Sequence, residues 1–213
     1  MIAKWFLALG LVLAVAGSDV RGGNVTIADL YNTGVNSSHG LLADGASDLH
    51  YTVAYEAGAA TAPVVGRLAG SWVANTSTAQ WIVPTGGQPN GTYTYATTFT
   101  VGGGADLASA VIGGRLTSDD MIQDVFLNGQ SLGITTTDES YGSWFNFSAA
   151  SNFQIGVNNL VFVTKNTHGA PTGLIVEMTG SYNAAVPEPS SMALLGLGSV
   201  GLLAGRRFRR RPA

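Results

Sequence analysis

The chain of 213 residues contains no cysteine. That excludes a disulfide framework, a thiol nucleophile and Cys-ligated zinc, so a domain of this length must rest on its core. Charge is also scarce, with Asp, Glu, Lys and Arg making up 11% of the residues. Between Gly22 and Val186 the bases are Arg67, Arg115 and Lys165. Eleven acids stand against these three bases, leaving the stretch at −8. A body so short of Lys and Arg cannot compensate nucleic-acid phosphates, and nucleic acid is excluded as a partner. The three histidines, His39, His50 and His168, show no H-E-x-x-H spacing, and no P-loop is present. Catalysis has little in the sequence to stand on, and the protein is expected not to be an enzyme.

What is present begins with two uncharged apolar runs at the ends. Lys4 precedes Trp5–Gly17, and Ala14-Val15-Ala16 supplies an A-x-A cleavage pattern. Residues 1–18 therefore read as a secretory signal peptide, handled by the Sec translocon and cut by signal peptidase after Ala16 or Ser18. At the other end Val186-Pro187-Glu188-Pro189-Ser190-Ser191 leads into Met192–Gly205. That run stops at Arg206-Arg207-Phe208-Arg209-Arg210-Arg211. The two prolines fix φ and keep Val186–Pro189 extended. A spanning helix usually needs about 20 apolar residues, with a lower limit of about 17. A transmembrane helix over about 190–205 is therefore short and borrows flanking residues. The arginines hold the C-terminus on the cytoplasmic side. Gly196, Gly198 and Gly201 spell G-x-G-x-x-G, but an apolar run before an arginine block is no βαβ context, and a dinucleotide site is rejected.

The Pro-Glu-Pro motif, apolar helix and arginine cluster, in that order and spacing, closely resemble the PEP-CTERM sorting signal of Gram-negative bacteria. The resemblance covers residues 186–213. It implies an exosortase-type membrane protease as partner, with the chain held transiently in the inner membrane. Tail removal and delivery to the cell surface or its polysaccharide matrix then follow. An ordinary tail anchor that is never processed is the alternative.

Between the two addresses lie residues 19–185, roughly 165 residues, which suits one domain. Leu49, Tyr51, Val53 and Tyr55 alternate with His50, Thr52, Ala54 and Glu56, the period of a half-buried strand. Tyr93–Val101 repeats the pattern with aromatic and β-branched residues. Further strands are expected at Leu107–Leu116, Asp124–Leu127, Trp144–Phe147, Asn159–Lys165 and Leu174–Tyr182. Turn clusters such as Pro84–Gly91, Gly102–Gly104, Asn128-Gly129 and His168–Pro171 separate them. No helical stripe appears outside the two end segments. The pattern predicts an all-β sandwich.

Asp119–Gly133 resembles the central hairpin of galactose-binding-like jelly rolls, with Val125-Phe126-Leu127-Asn128-Gly129 as its strand and turn. Asn-Gly is the preferred tight hairpin turn. Phe153–Asn166 and Leu174–Gly180 resemble two later strands of the same fold. The resemblance covers roughly residues 64–182 and implies a jelly roll, a fold whose ligands vary widely.

Candidate site residues follow. Trp72, Trp81, Tyr141 and Trp144 offer flat apolar faces for a sugar ring, although aromatics in a sandwich of this size are usually core. Asp44-Gly45-Ala46-Ser47-Asp48 packs two carboxylates into a short loop, an oxygen set that Ca²⁺ prefers, and a structural calcium at Asp44 and Asp48 is the one cofactor considered. The plainer reading is a solvated acidic loop. Asp119, Asp120 and Asp124 form a second acidic group, read as a polar turn. The expected function is an exported, non-enzymatic surface or matrix protein associating with exopolysaccharide. A purely structural or adhesive protein and a carbohydrate-active hydrolase are the alternatives.

Overall fold

Strands form where β-branched and aromatic residues alternate with polar ones, and they stop at the Gly, Pro and Asn clusters. The computed structural model describes residues 22–66 and 70–184. Strands β1 (Asn24–Thr26), β2 (Tyr51–Tyr55), β3 (Val64–Val65), β4 (Ile82–Val83), β5 (Gly91–Val101) and β6 (Ala105–Asp119) come first. They are followed by β7 (Met121–Leu127), β8 (Gln130–Ser131), β9 (Phe145–Ala149), β10 (Gly156–Asn166) and β11 (Gly173–Ala184). A single 3-10 turn, Ser140–Gly142, is the one helical element among the described residues. No helix there is long and apolar enough to cross a membrane. The signal segment, Val186–Pro189, the apolar run and Arg206–Arg211 lie outside the described residues.

Two antiparallel sheets make the body. One has the order β3-β4-β11-β6-β9, with β1 added on the far half of β11, and the other has the order β2-β5-β10-β7-β8. Four pairings are nested: β4 with β11, β5 with β10, β6 with β9, and β7 with β8. They describe one long antiparallel hairpin rolled so that successive strands alternate between sheets. That is a jelly roll, and it makes the body the all-β sandwich expected.

Alternation sends one side chain in two between the sheets. Tyr93, Tyr95, Phe99 and Val101 of β5 meet Ile112 and Leu116 of β6 and Leu174, Val176 and Met178 of β11 in the core. Phe147 and Phe162 close it edge-to-face across the sheets, 6.4 Å apart at 90°. Neighbouring Ile175 points the other way, yet it is fully buried. The loop before β4 folds over the outer face of its sheet and sets Trp72, Ala79 and Trp81 on Ile175.

One expected position is wrong. Leu49 was aligned inward with Tyr51, but it is 82% exposed and the strand starts at Tyr51. The cause is Asp48, whose carboxylate accepts the His50 N–H at 3.0 Å. It thereby turns the chain at residues 49–50, a local bond that competes with the ladder.

Candidate functional site

The rolled hairpin brings several turns together at one end of the sandwich. There β6 crosses to β7 through the Asp119–Asp120 peptide, which is cis. Around it stand the loop from β10 to β11, the loop leading to β9 and the segment before Trp72. They enclose a pocket of about 220 Å³ lined by Trp72, Asp119, Asp120, Tyr141 and His168 among others. That volume falls below the range of about 300–1,000 Å³ usual for small-molecule sites.

The two carboxyls at its floor differ. Asp119 is buried, accepts the Trp72 indole N–H at 2.6 Å, and lies beside the Asp120 carboxyl. Burial first, and the adjacent carboxyl next, push its pKa up to about 7. Asp120 is buried too, which acts to raise its pKa. Its Oδ2, however, accepts the Thr167 N–H at 2.6 Å, the Thr167 hydroxyl at 2.9 Å and the His168 N–H at 3.0 Å. Together with Asp119 these donors hold it below the usual carboxylate value. The pair therefore keeps one proton on Asp119 and one charge on Asp120 at slightly acidic pH.

Next to the pair, Asp120, Asp138 and His168 bring ligand atoms within 4.8 Å of one another. The Thr167 hydroxyl contacts Asp120, Asp138 at 3.0 Å and His168 Nδ1 at 2.8 Å. One hydroxyl proton cannot serve both carboxylates. Carboxylate oxygens and an imidazole are the donor set that could hold a divalent cation here.

The four aromatics expected to form a site gather in one packed cluster instead of an open platform, with half-buried Tyr141 and Trp144 against Trp72 and Trp81, while the acids Asp44 and Asp48 lie outside it. Trp72 is 8% exposed and presents only an edge to the pocket, beside half-buried Tyr141. Trp81 is 0% exposed and cannot be a sugar platform. Its ring packs 4.1 Å from that of Trp72, and its indole N–H donates to the Val73 carbonyl at 2.9 Å. Trp144 lies outside the pocket, its ring 4.4 Å below the Arg115 guanidinium. Asp44 is exposed, whereas Asp48 is fully buried. Asp48 spends its two oxygens on the Gly34 N–H at 2.7 Å and the His50 N–H at 3.0 Å. Burial raises its pKa despite those amides. It acts as the tie of the loop from residue 34 to 50. Asp124 parts from Asp119 and Asp120, and it stitches the β7–β8 hairpin through Ser131 Oγ at 2.5 Å and the Gly133 N–H at 3.1 Å.

Sequence reasoning missed Thr167, His168 and Asp138. The available signal was an Asp-Asp doublet in a chain with little charge. Gly129–Gly133 also spells G-x-S-x-G, but it sits in a β-hairpin instead of a strand–turn–helix, and its Ser131 hydroxyl donates to Asp124. It is no nucleophile.

Residues 185–211 match the PEP-CTERM protein-sorting motif. The match agrees with the resemblance seen in the tail and implies export, membrane-anchored sorting and an exosortase-type processing partner. No curated protein matches the sequence. Among solved structures, a CBM35 module from Paenibacillus barcinonensis is 15% identical, with a TM-score of 0.35 over 62% of this chain and 94% of that one. A family 35 carbohydrate binding module from an environmental isolate is 17% identical, with a TM-score of 0.30 over 63% and 98%. An exo-beta-1,3-galactanase from Phanerochaete chrysosporium is 14% identical, with a TM-score of 0.27 over 75% of this chain and 30% of that one. Likenesses this distant say nothing of ligand or activity. The nested strand pairing is what makes the body a jelly roll.

Proposed function

We propose that this chain is an exported, non-enzymatic surface or matrix protein whose jelly-roll body, of galactose-binding-like type, associates with exopolysaccharide. The observation that carries the reading is the sorting motif, which begins at residue 185, directly after β11 ends at Ala184. A body that carries such a motif is a cargo for export and membrane-anchored sorting. The Asn128-Gly129 turn between β7 and β8 supports the galactose-binding-like assignment.

A hydrolase would use two carboxyls whose environments push their pKa values apart, and Asp119 and Asp120 have that property. Against it, glycosidases hold their carboxyls about 5–5.5 Å or about 6.5–9.5 Å apart to admit the sugar or a water. These two are adjacent in the chain, and each carboxyl directly shifts the other's ionisation. Asp120 also has one oxygen, Oδ2, occupied by three donors.

Surface extraction of producing cells with mass spectrometry tests the reading. The expected product runs from about residue 19 to about residue 185 and leaves the cell together with polysaccharide. Peptides spanning Pro189 to Leu203 in the surface fraction would mean a tail anchor without processing. A processed body that separates cleanly from polysaccharide would leave the structural or adhesive reading. Release of reducing ends by the parent, abolished in Asp119→Asn, would make it a hydrolase.

A further inference from the structure

Among the described residues, the outer face of the six-stranded sheet is only half covered. The Trp72–Trp81 loop seals the end near Ile175, and beyond it lies a trough of about 490 Å³ over β9, β6 and β11. Its floor is set by register, with Asn146, Arg115 and Glu177 side by side and Ser148, Gly113 and Thr179 forming the next row. Three adjacent strands span about 10 Å.

Gly113 is the informative residue. A Cβ there would meet nothing nearer than the Phe147 carbonyl oxygen at 3.8 Å, and its φ lies outside the left-handed region. Neither packing nor backbone therefore calls for glycine. Gly114 differs, because a Cβ there would lie 2.1 Å from the Glu177 carbonyl oxygen. Glycine weakens a strand interior and often marks a bulge, a tight bend or the close approach of a ligand or another backbone; Gly113 sits in unbroken register with Thr179 and Ser148, which sets the bulge aside. The bare floor at Gly113 is open for that approach.

The rim is preorganised. Arg115 rests on the Trp144 ring and bonds Glu177 through Nε at 2.6 Å. Glu177 also accepts the hydroxyls of Thr76 and Thr78. Among the described residues lining the trough, Arg115 and Glu177 are the charged ones, and they cancel. Asn146 and Thr179 add an amide and a hydroxyl, whereas the Asn32 amide is spent on the Thr78 carbonyl and the Met178 N–H. A neutral surface of an amide, hydroxyls and one ion pair around the bare backbone of Gly113 matches a hydroxyl-rich, uncharged chain. An anionic polymer would find its one cation already neutralised. Over Gly113 a peptide strand would find no ladder to join, because β6 and β11 are paired on both sides; among the described strands the outer edge of β9 is where one could add.

We infer that this trough, with Gly113 as its floor and Arg115, Asn146, Glu177 and Thr179 around it, binds one chain of an uncharged polysaccharide. Trp144 is a positioning residue that holds Arg115. The inference rests on the polysaccharide reading above and gives it a site away from the loop-end pocket, which is too small for a polymer.

Affinity electrophoresis of the full chain in detergent, through gels containing a neutral β-glucan, galactan or mannan, tests it, with polygalacturonate as the anionic comparison. At least one neutral polymer should retard the parent more than polygalacturonate does. Gly113→Ala should weaken that retardation in part and Gly113→Ile at least tenfold, with Tm equal to or above the parent's, because a β-branched residue suits the strand. Thr179→Lys, on the exposed position paired with Gly113, repeats the block should Gly113→Ile fail to fold. Retardation unchanged in folded Gly113→Ile or Thr179→Lys overturns the trough and leaves the polysaccharide reading standing. A parent retarded by no neutral polymer overturns both.

Discussion

Replacing Trp81 by alanine separates a core residue from a ligand platform. The side chain is fully buried, stacks at 4.1 Å and 31° on Trp72, and donates its N–H to Val73 at 2.9 Å. Truncating a buried tryptophan costs about 3–5 kcal/mol. The lost ring pair adds to the direct cost, since such pairs contribute about 0.5–1.5 kcal/mol beyond area. Relaxation works the other way, because the cluster of Trp72, Ala79, Trp81 and Ile175 lies under a loop that can partly collapse. In a domain of this size 1 kcal/mol moves Tm by about 2–4 °C, so a fall of about 10 °C is expected. Thermal unfolding followed by circular dichroism at 222 nm and in the near ultraviolet reads both the fall and the loss of the tryptophan pair signal. Trp81→Phe, which keeps a ring but no donor, should lie between. A Tm within about 2 °C of the parent's would refute the reasoning and return Trp81 to the list of exposed sugar platforms.

Two further outcomes are expected. Asp119 binds its proton more tightly folded, with a pKa of about 7, than an ordinary aspartate, with 3.8. Stability should therefore fall as pH rises from about 4 to about 7, by at most about 4 kcal/mol. Asp120, held low, instead loses its contribution only as pH falls below about 4. Melting curves from pH 5 to 8 in chelator should show this decline in the parent and a flatter profile in Asp119→Asn; equal slopes would refute it. Deleting Arg206–Arg211 should release unprocessed protein while leaving the body folded, because each arginine resists membrane passage by about 2.5–3.5 kcal/mol. Immunoblots showing normal processing and surface localisation would make the arginines dispensable.

The long strands were legible because alternation reports a one-sided burial that each strand carries locally. Tyr93–Val101 and Asn159–Lys165 reappear within β5 and β10, and the Asn128-Gly129 turn sits between β7 and β8. The two-residue strands β3, β4 and β8 are too short to show any period. Leu49 fitted the alternation and still failed, because a single side-chain bond from Asp48 turned the chain first.

The site was far less legible. Trp72, Trp81 and Trp144 are identical letters, and the loop before β4 decides which of them is sealed against Ile175 and which lies under an arginine. Asp44 and Asp48, close in sequence, part because only one meets the amides of Gly34 and His50. Asp120 and His168 are 48 positions apart, and only the rolled hairpin brings them together. The sequence by itself determined the sorting motif and the β periodicity, since both are read from residues adjacent in the chain. Only the tertiary structure decided that Asp119 and Asp120 share a pocket and that Gly113 lies open beneath a neutral rim, because burial and long-range pairing set ionisation and access.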